Sequence, residues 1–196
     1  MPTVLFVNAC IRGKDSRTLA LCERLLTQIR EANRKDLAFQ IEEIRLSTEN
    51  LLPLNHERLQ RREELLTNGQ YEDTMFDYAH AVAQADVLVI AAPCWNMSFP
   101  AMLQIFFEAA SVEGITYACA ADGTTTGLCR AADIYYVTTS GRHGGGHSFG
   151  LEYIDALRRL YGIKELHVVS AEGLDVENAD VRAIMEAASS GDFMKR

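Results

Sequence analysis

A continuously apolar run, residues 87–92 (VLVIAA), stands near the middle of the chain. The run is rich in β-branched side chains and has no polar face, so it predicts a strand buried on both sides, as in a parallel sheet. Pro93 ends this strand because proline cannot donate a hydrogen bond to a sheet. Pro100 then begins a helix with apolar residues at helical spacing. The residues between them form a loop at the carboxyl end of the strand, where open α/β sheets bind ligands.

Further apolar runs predict four more strands, at residues 3–8, 39–46, 134–139 and 166–171. The second of these alternates imperfectly and suits an edge of the sheet. Helical spacing predicts further helices at residues 16–30, 73–85, 151–161 and 176–188. Residues 47–70 carry a charged run and predict no clear element. Strands that alternate with helices indicate a doubly wound α/β fold with a parallel sheet. Because the chain has 196 residues and no Gly/Ser/Pro linker, we expect one domain over residues 1–196.

Composition and charge narrow the classes of partner. Hydrophobic residues make up 48% of the chain and charged residues 23%, which is typical of a globular protein. The formal net charge of −8 disfavours nucleic acid and anionic membranes as partners. No apolar run reaches the roughly 18 residues of a membrane helix, and no charged leader is evident, so we expect neither a membrane span nor secretion. The five cysteines lack any CxxC pair, which favours free thiols in the cytoplasm over disulfides or zinc.

The loop after the first predicted strand, residues 9–18, offers an anion site. Ser16 and Thr18 bring two hydroxyls to the start of a helix, where unpaired N–H groups and partial positive charge favour a phosphate. The loop matches neither GxxxxGK[ST] nor GxGxxG, so a Walker NTPase or a dinucleotide fingerprint is unsupported. The alternative is that Ser16 serves only as a helix cap, since hydroxyl caps are common.

The loop after the central strand offers a thiol, an indole and a carboxamide, at Cys94, Trp95 and Asn96. Together with backbone amides, these groups suit a flat polar ring. In the alternative interpretation Trp95 belongs to the core, Cys94 is a small buried hydrophobe and Met97 fills a gap. Asn96 fits that interpretation poorly because a buried amide needs hydrogen-bond partners.

The loop after the fourth predicted strand, residues 140–146, is rich in glycine, which lets a backbone approach a ligand closely. The alternative is a flexible surface loop. His143 and His147 are four residues apart, but they lie outside any predicted helix and lack acidic partners. A metal site is therefore not expected.

These segments resemble the FMN-dependent NAD(P)H azoreductase and quinone reductase family, which has a flavodoxin-like fold. The resemblance spans nearly the whole chain and rests on the order of its motifs. Ser16-Arg17-Thr18 follows the first strand, and residues 92–100 (APCWNMSFP) follow the third. Further matching segments are residues 103–107, 114–117, 127–128, 139–141, 161–163 and 171–173. The resemblance implies a three-layer sandwich with a five-stranded parallel sheet in the order 2-1-3-4-5.

The resemblance also implies cofactor contacts, residue by residue. The first loop would hold the phosphate of a tightly but non-covalently bound FMN through Ser16, Arg17 and Thr18. Cys10 stands where many relatives have a serine that belongs to the same site. The ring contacts implied are Pro93, Cys94, Trp95, Asn96 and Met97 from the second loop, and Ser140, Gly141, His143 and Gly144 from the third.

The activity implied is that of an FMN-dependent NAD(P)H oxidoreductase. NADH or NADPH would reduce the flavin and leave before a quinone, azo compound or nitroaromatic accepts the hydride. No side chain need act as a nucleophile, and Cys94 is not expected to be a thiolate catalyst. Members of the family are homodimers in which both subunits build each active site. Two other classes stay open, namely a flavodoxin-like electron carrier that serves protein partners and a regulatory relative without flavin.

Overall fold

The computed structural model describes residues 2–32, 40–144 and 148–190. Within these ranges, at least one helix lies between each pair of consecutive strands of the five-stranded sheet, as the apolar pattern predicts. The strands are β1 (Thr3–Asn8), β2 (Gln40–Arg45), β3 (Val87–Ala91), β4 (Tyr117–Cys119), β5 (Thr125–Gly127), β6 (Asp133–Thr139) and β7 (Glu165–Ala171). The helices are α1 (Arg17–Ala32), α2 (His56–Thr67), α3 (Asp77–Gln84), α4 (Ala101–Ala110), α5 (Phe149–Tyr161) and α6 (Val181–Ser189).

The five longer strands form one parallel sheet in the order β2-β1-β3-β6-β7. Counted along the sheet strands alone, this is the predicted order 2-1-3-4-5, so the flavodoxin-like fold is confirmed. The register pairs Val89 of β3 with Phe6 of β1 and with Tyr135 of β6. β2 lies at an edge, as predicted, whereas Phe39 of the predicted strand lies outside the described residues. Parallel pairing brings the carboxyl ends of all five strands to one edge of the sheet.

The position of β3 at the centre of the sheet explains why its sequence is apolar without alternation. Leu88 and Ile90 pack into a core formed with α3, α4 and α5. Val89 and Ala91 pack into a second core formed with α1 and α6. Because both faces of β3 are covered, each residue from Leu88 to Ala91 is buried. Burial of one Leu, Val or Ile side chain contributes about 1.5–3 kcal/mol, so both faces of the strand stabilise the fold.

Two structured segments were not predicted. Residues 56–67 form α2, which begins at the cap residue Asn55, whose side chain accepts a hydrogen bond from the Arg58 N–H at 2.9 Å. Leu65 is the one buried residue of α2, so the helix lacks the apolar stripe that a sequence pattern can reveal. The strands β4 and β5 form an antiparallel hairpin of three residues each, which is too short to show alternation.

Two predicted helices begin later than the pattern indicates. The segment 73–85 starts with a single 3-10 turn, Thr74–Phe76, before α3 begins. The segment 176–188 becomes helical only at α6, because Asn178 has a φ of 61°, which a right-handed helix cannot accommodate. Asp180 then caps α6 by accepting a hydrogen bond from the Ala183 N–H at 3.0 Å. Among the described residues, no helix combines the length and the apolar character that crossing a membrane requires.

Candidate cofactor-binding crevice

A crevice that is partly open to solvent lies where the carboxyl ends of the sheet strands meet. Eight residues predicted from the sequence line it, namely Ser16, Arg17, Thr18, Pro93, Cys94, Trp95, Ser140 and Gly141. Five further residues line it that were not predicted as site residues, namely Ile11, Arg12, Thr139, Leu174 and Asp175. Cys10, Asn96, Met97, His143 and Gly144 were predicted with the first group but do not line this crevice.

The first end of the crevice is built on the N-terminus of α1. Ser16 caps the helix, and its hydroxyl accepts the Leu19 N–H at 3.3 Å. The same hydroxyl lies within hydrogen-bond reach of the Cys10 thiol below it. The hydroxyls of Thr18 and Thr139 lie 2.6 Å apart and are buried. Because two hydroxyls share one hydrogen bond, one O–H of this pair stays available as a donor. The first turn of α1 contains no acidic residue, so the unpaired N–H groups and the dipole favour an anion.

Arg17 has an additional partner that the sequence did not reveal. Its guanidinium lies 2.7 Å from Oδ1 of Asp175 and donates a further hydrogen bond to the Leu174 carbonyl at 3.1 Å. The side chains of Arg17 and Asp175 are 46% and 69% exposed. The loop after β7 therefore reaches across to the start of α1 and places a carboxylate in the crevice.

Cys10 lies beneath the first loop rather than in the crevice. Its side chain is 3% exposed, and Sγ lies 3.6 Å from the Ala91 carbonyl oxygen. Its N–H donates to Oδ1 of Asn8 at 2.9 Å. Burial raises the pKa of the Cys10 thiol to about 11, so the thiol stays neutral. Cys10 thus supports the loop from the β1 side.

The second loop ends in a tight turn over residues 95–98. Trp95 and Ser98 exchange two backbone hydrogen bonds of 2.9 Å, and the central residues Asn96 and Met97 have φ values of 51° and 65°. This left-handed pair is the geometry of a two-residue type I′ hairpin turn. Trp95 is 41% and Met97 52% exposed, which contradicts the interpretation of these side chains as core. Asn96 is exposed as well.

Two backbone hydrogen bonds hold this turn in place. The Cys94 N–H donates to the Thr139 carbonyl at 2.9 Å, and the Phe149 N–H donates to the Met97 carbonyl at 2.9 Å. Burial raises the pKa of the Cys94 thiol above its ordinary value, and the neighbouring Ser148 hydroxyl partly offsets this effect. The thiol is therefore neutral at physiological pH, which agrees with the expectation that it is not a thiolate catalyst.

The third loop approaches the crevice through Gly141. A Cβ on Gly141 would lie 2.2 Å from Oδ2 of Asp175, so a side chain at this position would displace that carboxylate. The Ser140 hydroxyl donates to the Arg142 carbonyl at 2.6 Å, which shapes the loop. Glycine at 141 thus leaves the room that the Asp175 carboxylate occupies beside the loop.

His143 and Gly144 turn toward the loop after β7 instead of lining the crevice. The His143 ring lies against Gly173, where a Cβ would be 2.6 Å from Cε1 of the ring. The Gly144 N–H donates to Oε2 of Glu172 at 2.7 Å. His147 lies outside the described residues. Among the residues that the structure describes, no group of three His, Cys, Asp or Glu side chains could hold a metal ion.

Comparison with known proteins assigns the family. A family model described as "Flavodoxin-like fold" (Flavodoxin_2) matches residues 2–190, and the chain belongs to this family. The chain is 28% identical over 185 residues to the FMN-dependent NADH:quinone oxidoreductase of Lachnoclostridium phytofermentans, covering 93% of this chain and 92% of the relative. It is 28% identical over 188 residues to FMN-dependent NADH:quinone oxidoreductase 2 of Clostridium perfringens, with 95% and 93% covered.

Solved structures show the same fold. An azoreductase from Bacillus anthracis superposes with a TM-score of 0.83 at 20% identity, covering 96% of this chain and 95% of that one. An FMN-dependent NADH-azoreductase from the same species, in complex with FMN, superposes with a TM-score of 0.80 at 19% identity, with 95% and 94% covered. At these identities the likeness establishes the fold alone.

Proposed function

We propose that the chain is an FMN-dependent NAD(P)H oxidoreductase that reduces quinones, azo compounds or nitroaromatics, with residues 1–196 forming one FMN-binding domain. The observation that carries the proposal is the crevice, which joins the N-terminus of α1 to Trp95 on the exposed turn at residues 95–98. The first turn of α1 contains no acidic residue. The names of the two quinone oxidoreductases that cover almost the whole chain support it.

The first end of the crevice fits a phosphate monoester. The Ser16 hydroxyl, one hydroxyl of the Thr18–Thr139 pair and the first N–H groups of α1 supply donors within one turn of a helix. Arg17 adds a guanidinium, which pairs well with phosphate oxygens. These residues would hold the cofactor at its charged end and leave its ring to the other two loops.

The second end fits the flat polar ring of a flavin. Asn96 does not line the crevice itself, but it follows the lining residue Trp95 on the same turn and is exposed beside the mouth of the crevice. Its carboxamide offers both donors and an acceptor, which an alternating edge of ring carbonyls and nitrogens requires. The exposed Trp95 indole offers an apolar wall. When bound, FMN would supply the transfer of hydride between NAD(P)H and the acceptor. The chain itself would bind and orient the ring, and the neutral Cys94 thiol would take no covalent part.

The proposal includes a homodimer. Trp95, Met97 and Phe149 are 41%, 52% and 70% exposed, and the Phe149 N–H bonds the Met97 carbonyl, so these apolar side chains share one surface. A second copy placed about a twofold axis would cover this surface and complete the mouth of the crevice. The five free thiols suit the reducing conditions of the cytoplasm, where we place the protein.

An absorbance spectrum of the purified full chain, with and without added FMN, tests the proposal. We expect a protein-bound flavin spectrum that bleaches when NADH or NADPH is added without oxygen and that returns when a quinone is added. A protein that stays colourless after FMN is added would contradict the proposal and favour a flavin-free regulator. A flavin that NAD(P)H does not reduce would favour an electron carrier for protein partners.

A further inference from the structure

Asp175 is the only carboxylate among the described residues that line the crevice. It lies on the loop after β7, at the same end as Ser16, Arg17 and Thr18. Oδ1 is 2.7 Å from the Arg17 guanidinium, and Oδ2 lies 2.2 Å from the position that a Cβ on Gly141 would take. A negative charge therefore sits at the end of the crevice whose other features favour an anion.

The loop that carries Asp175 is anchored through its backbone. The Leu174 N–H donates to the Ser140 carbonyl at 3.2 Å, and the Asp175 N–H donates to the Gly141 carbonyl at 2.9 Å. Leu174 is also 3% exposed. The Asp175 side chain, by contrast, is 69% exposed and is held by the Arg17 ion pair. Replacing the carboxylate therefore does not remove the backbone hydrogen bonds that hold the loop.

We propose that Asp175 competes with the phosphate of FMN for Arg17 and so sets how strongly the crevice prefers a phosphorylated flavin over an unphosphorylated one. This inference rests on the proposed function. Two anions near one guanidinium repel each other, and the carboxylate neutralises part of the charge that attracts the phosphate. Because both partners of the ion pair are exposed, the pair is weak enough to be exchanged for a phosphate.

The alternative role for a carboxylate in this place is to accept hydrogen bonds from the ribityl hydroxyls of the flavin. The two roles make opposite predictions. A competitor for Arg17 weakens the binding of FMN and leaves riboflavin, which has no phosphate, unaffected. A ribityl acceptor strengthens the binding of both flavins.

The test measures the dissociation constants of FMN and riboflavin by quenching of flavin fluorescence, using the full chain freed of bound flavin. The variant is Asp175→Asn, which keeps the size of the side chain. The control is Glu177→Gln, which removes the same charge from an exposed position two residues further on that does not line the crevice. Far-UV circular dichroism and thermal unfolding of each variant report whether the fold is retained.

At low ionic strength, Asp175→Asn should bind FMN about two- to five-fold more tightly than the wild type, as expected for an exposed ion pair. The difference should shrink in about 1 M salt, where the screening length falls to about 3 Å. In Asp175→Asn, the dissociation constant of riboflavin should change by less than about twofold, because riboflavin has no phosphate that could compete for Arg17. In Glu177→Gln, the constants of both flavins should change by less than about twofold, because an exposed charge away from a ligand contributes little.

If Asp175→Asn bound FMN and riboflavin equally more weakly than the wild type, the inference would be overturned in favour of a hydrogen bond to the ribityl chain. An unchanged dissociation constant of FMN would overturn it as well. If Asp175→Asn does not fold, Asp175→Ser gives the same comparison without the charge. A wild-type chain that binds neither flavin would defeat the proposed function itself. Wild-type binding of FMN without the expected shift in the variant would defeat only the role of Asp175.

Discussion

The hydroxyls of Ser16 and Thr18 both lie at the N-terminus of α1, where a bound phosphate would accept hydrogen bonds. Replacing both residues by alanine should weaken FMN binding by about 1–3 kcal/mol, because hydrogen bonds to a charged phosphate are lost. Fluorescence titration with FMN measures the effect. Thr27→Ala is a matched control, since the Thr27 hydroxyl lies on the same helix but donates to the Glu23 carbonyl at an exposed position. A double variant with the same FMN affinity as Thr27→Ala would exclude this phosphate site.

Asn96 combines a carboxamide with a left-handed backbone, and two substitutions separate these properties. Asn96→Gly keeps the turn and should weaken FMN binding by about 0.5–1.5 kcal/mol if one hydrogen bond to the ring is lost. Asn96→Leu should in addition destabilise the fold by about 1–2 kcal/mol, because leucine is strained at a φ of 51°. Flavin titration and urea unfolding measure the two effects.

Met97→Gly is the control for Asn96, because Met97 has a φ of 65° and carries no polar group that could bond the ring. Because Met97 is itself an implied ring contact, this variant removes an apolar contact but no hydrogen bond, and we expect it to weaken FMN binding less than Asn96→Gly does. If Asn96→Gly bound FMN as the wild type does and were reduced by NADH at wild-type rates, Asn96 would serve only the turn.

At the scale of elements, the hairpin strand β5 packs against the end of α5 at Gly127. A Cβ there would lie 2.0 Å from the Gly162 nitrogen and from the Tyr161 carbonyl carbon. These are backbone atoms of a helix terminus that cannot move aside, so Gly127→Ala should lower the free energy of unfolding by about 3 kcal/mol or more. Urea denaturation followed by circular dichroism measures this loss.

Gly123→Asn is the matched control in the same hairpin. Its φ is 85° and no atom lies within 4 Å of the added Cβ, so only backbone strain of about 1 kcal/mol is expected. Equal losses of stability in the two variants would show that β5 is not packed against α5 as described.

The elements that could be predicted are those whose environment leaves a pattern in the sequence. β3 is covered on both faces, so residues 87–91 are apolar throughout. The predicted end of the helix at residue 161 is also correct, and Gly162 follows it in the left-handed conformation that glycine favours. By contrast, α2 buries only Leu65 and could not be recognised from its charged sequence.

In the candidate site, too, the residues that could be predicted are those that leave a local pattern in the sequence. Glycines and hydroxyls at carboxyl ends of strands pointed to Ser16, Thr18 and Gly141, because the topology of a doubly wound sheet brings those ends together. The same rule applies to the loop after β7 and could have included Asp175. Asp175 and Arg17 are 158 positions apart in the sequence and meet only in the folded chain. Local sequence patterns do not encode such a contact.

At the scale of the whole molecule, the proposed dimer accounts for apolar side chains that the described part of one chain leaves exposed. Phe149 is 70% exposed at the first position of α5, and the turn that carries Met97 is bonded to it. Burying such side chains between two copies gains about 25 cal/mol per Å² of apolar surface, which favours association. We expect the wild-type chain to be a dimer by light scattering at micromolar concentration.

Phe149→Glu should convert this dimer to a monomer while leaving the fold intact, because a carboxylate at the start of a helix is favourable but is costly to bury in an apolar interface. Val168→Glu serves as the control. Val168 is 37% exposed on β7, the strand at the opposite edge of the sheet from β2, and lies away from the turn. This variant should remain a dimer.

Loss of NAD(P)H-dependent quinone reduction in the Phe149→Glu monomer would support an active site built by both subunits. A wild-type monomer with full activity would refute the dimer, since each crevice would then be complete within one chain.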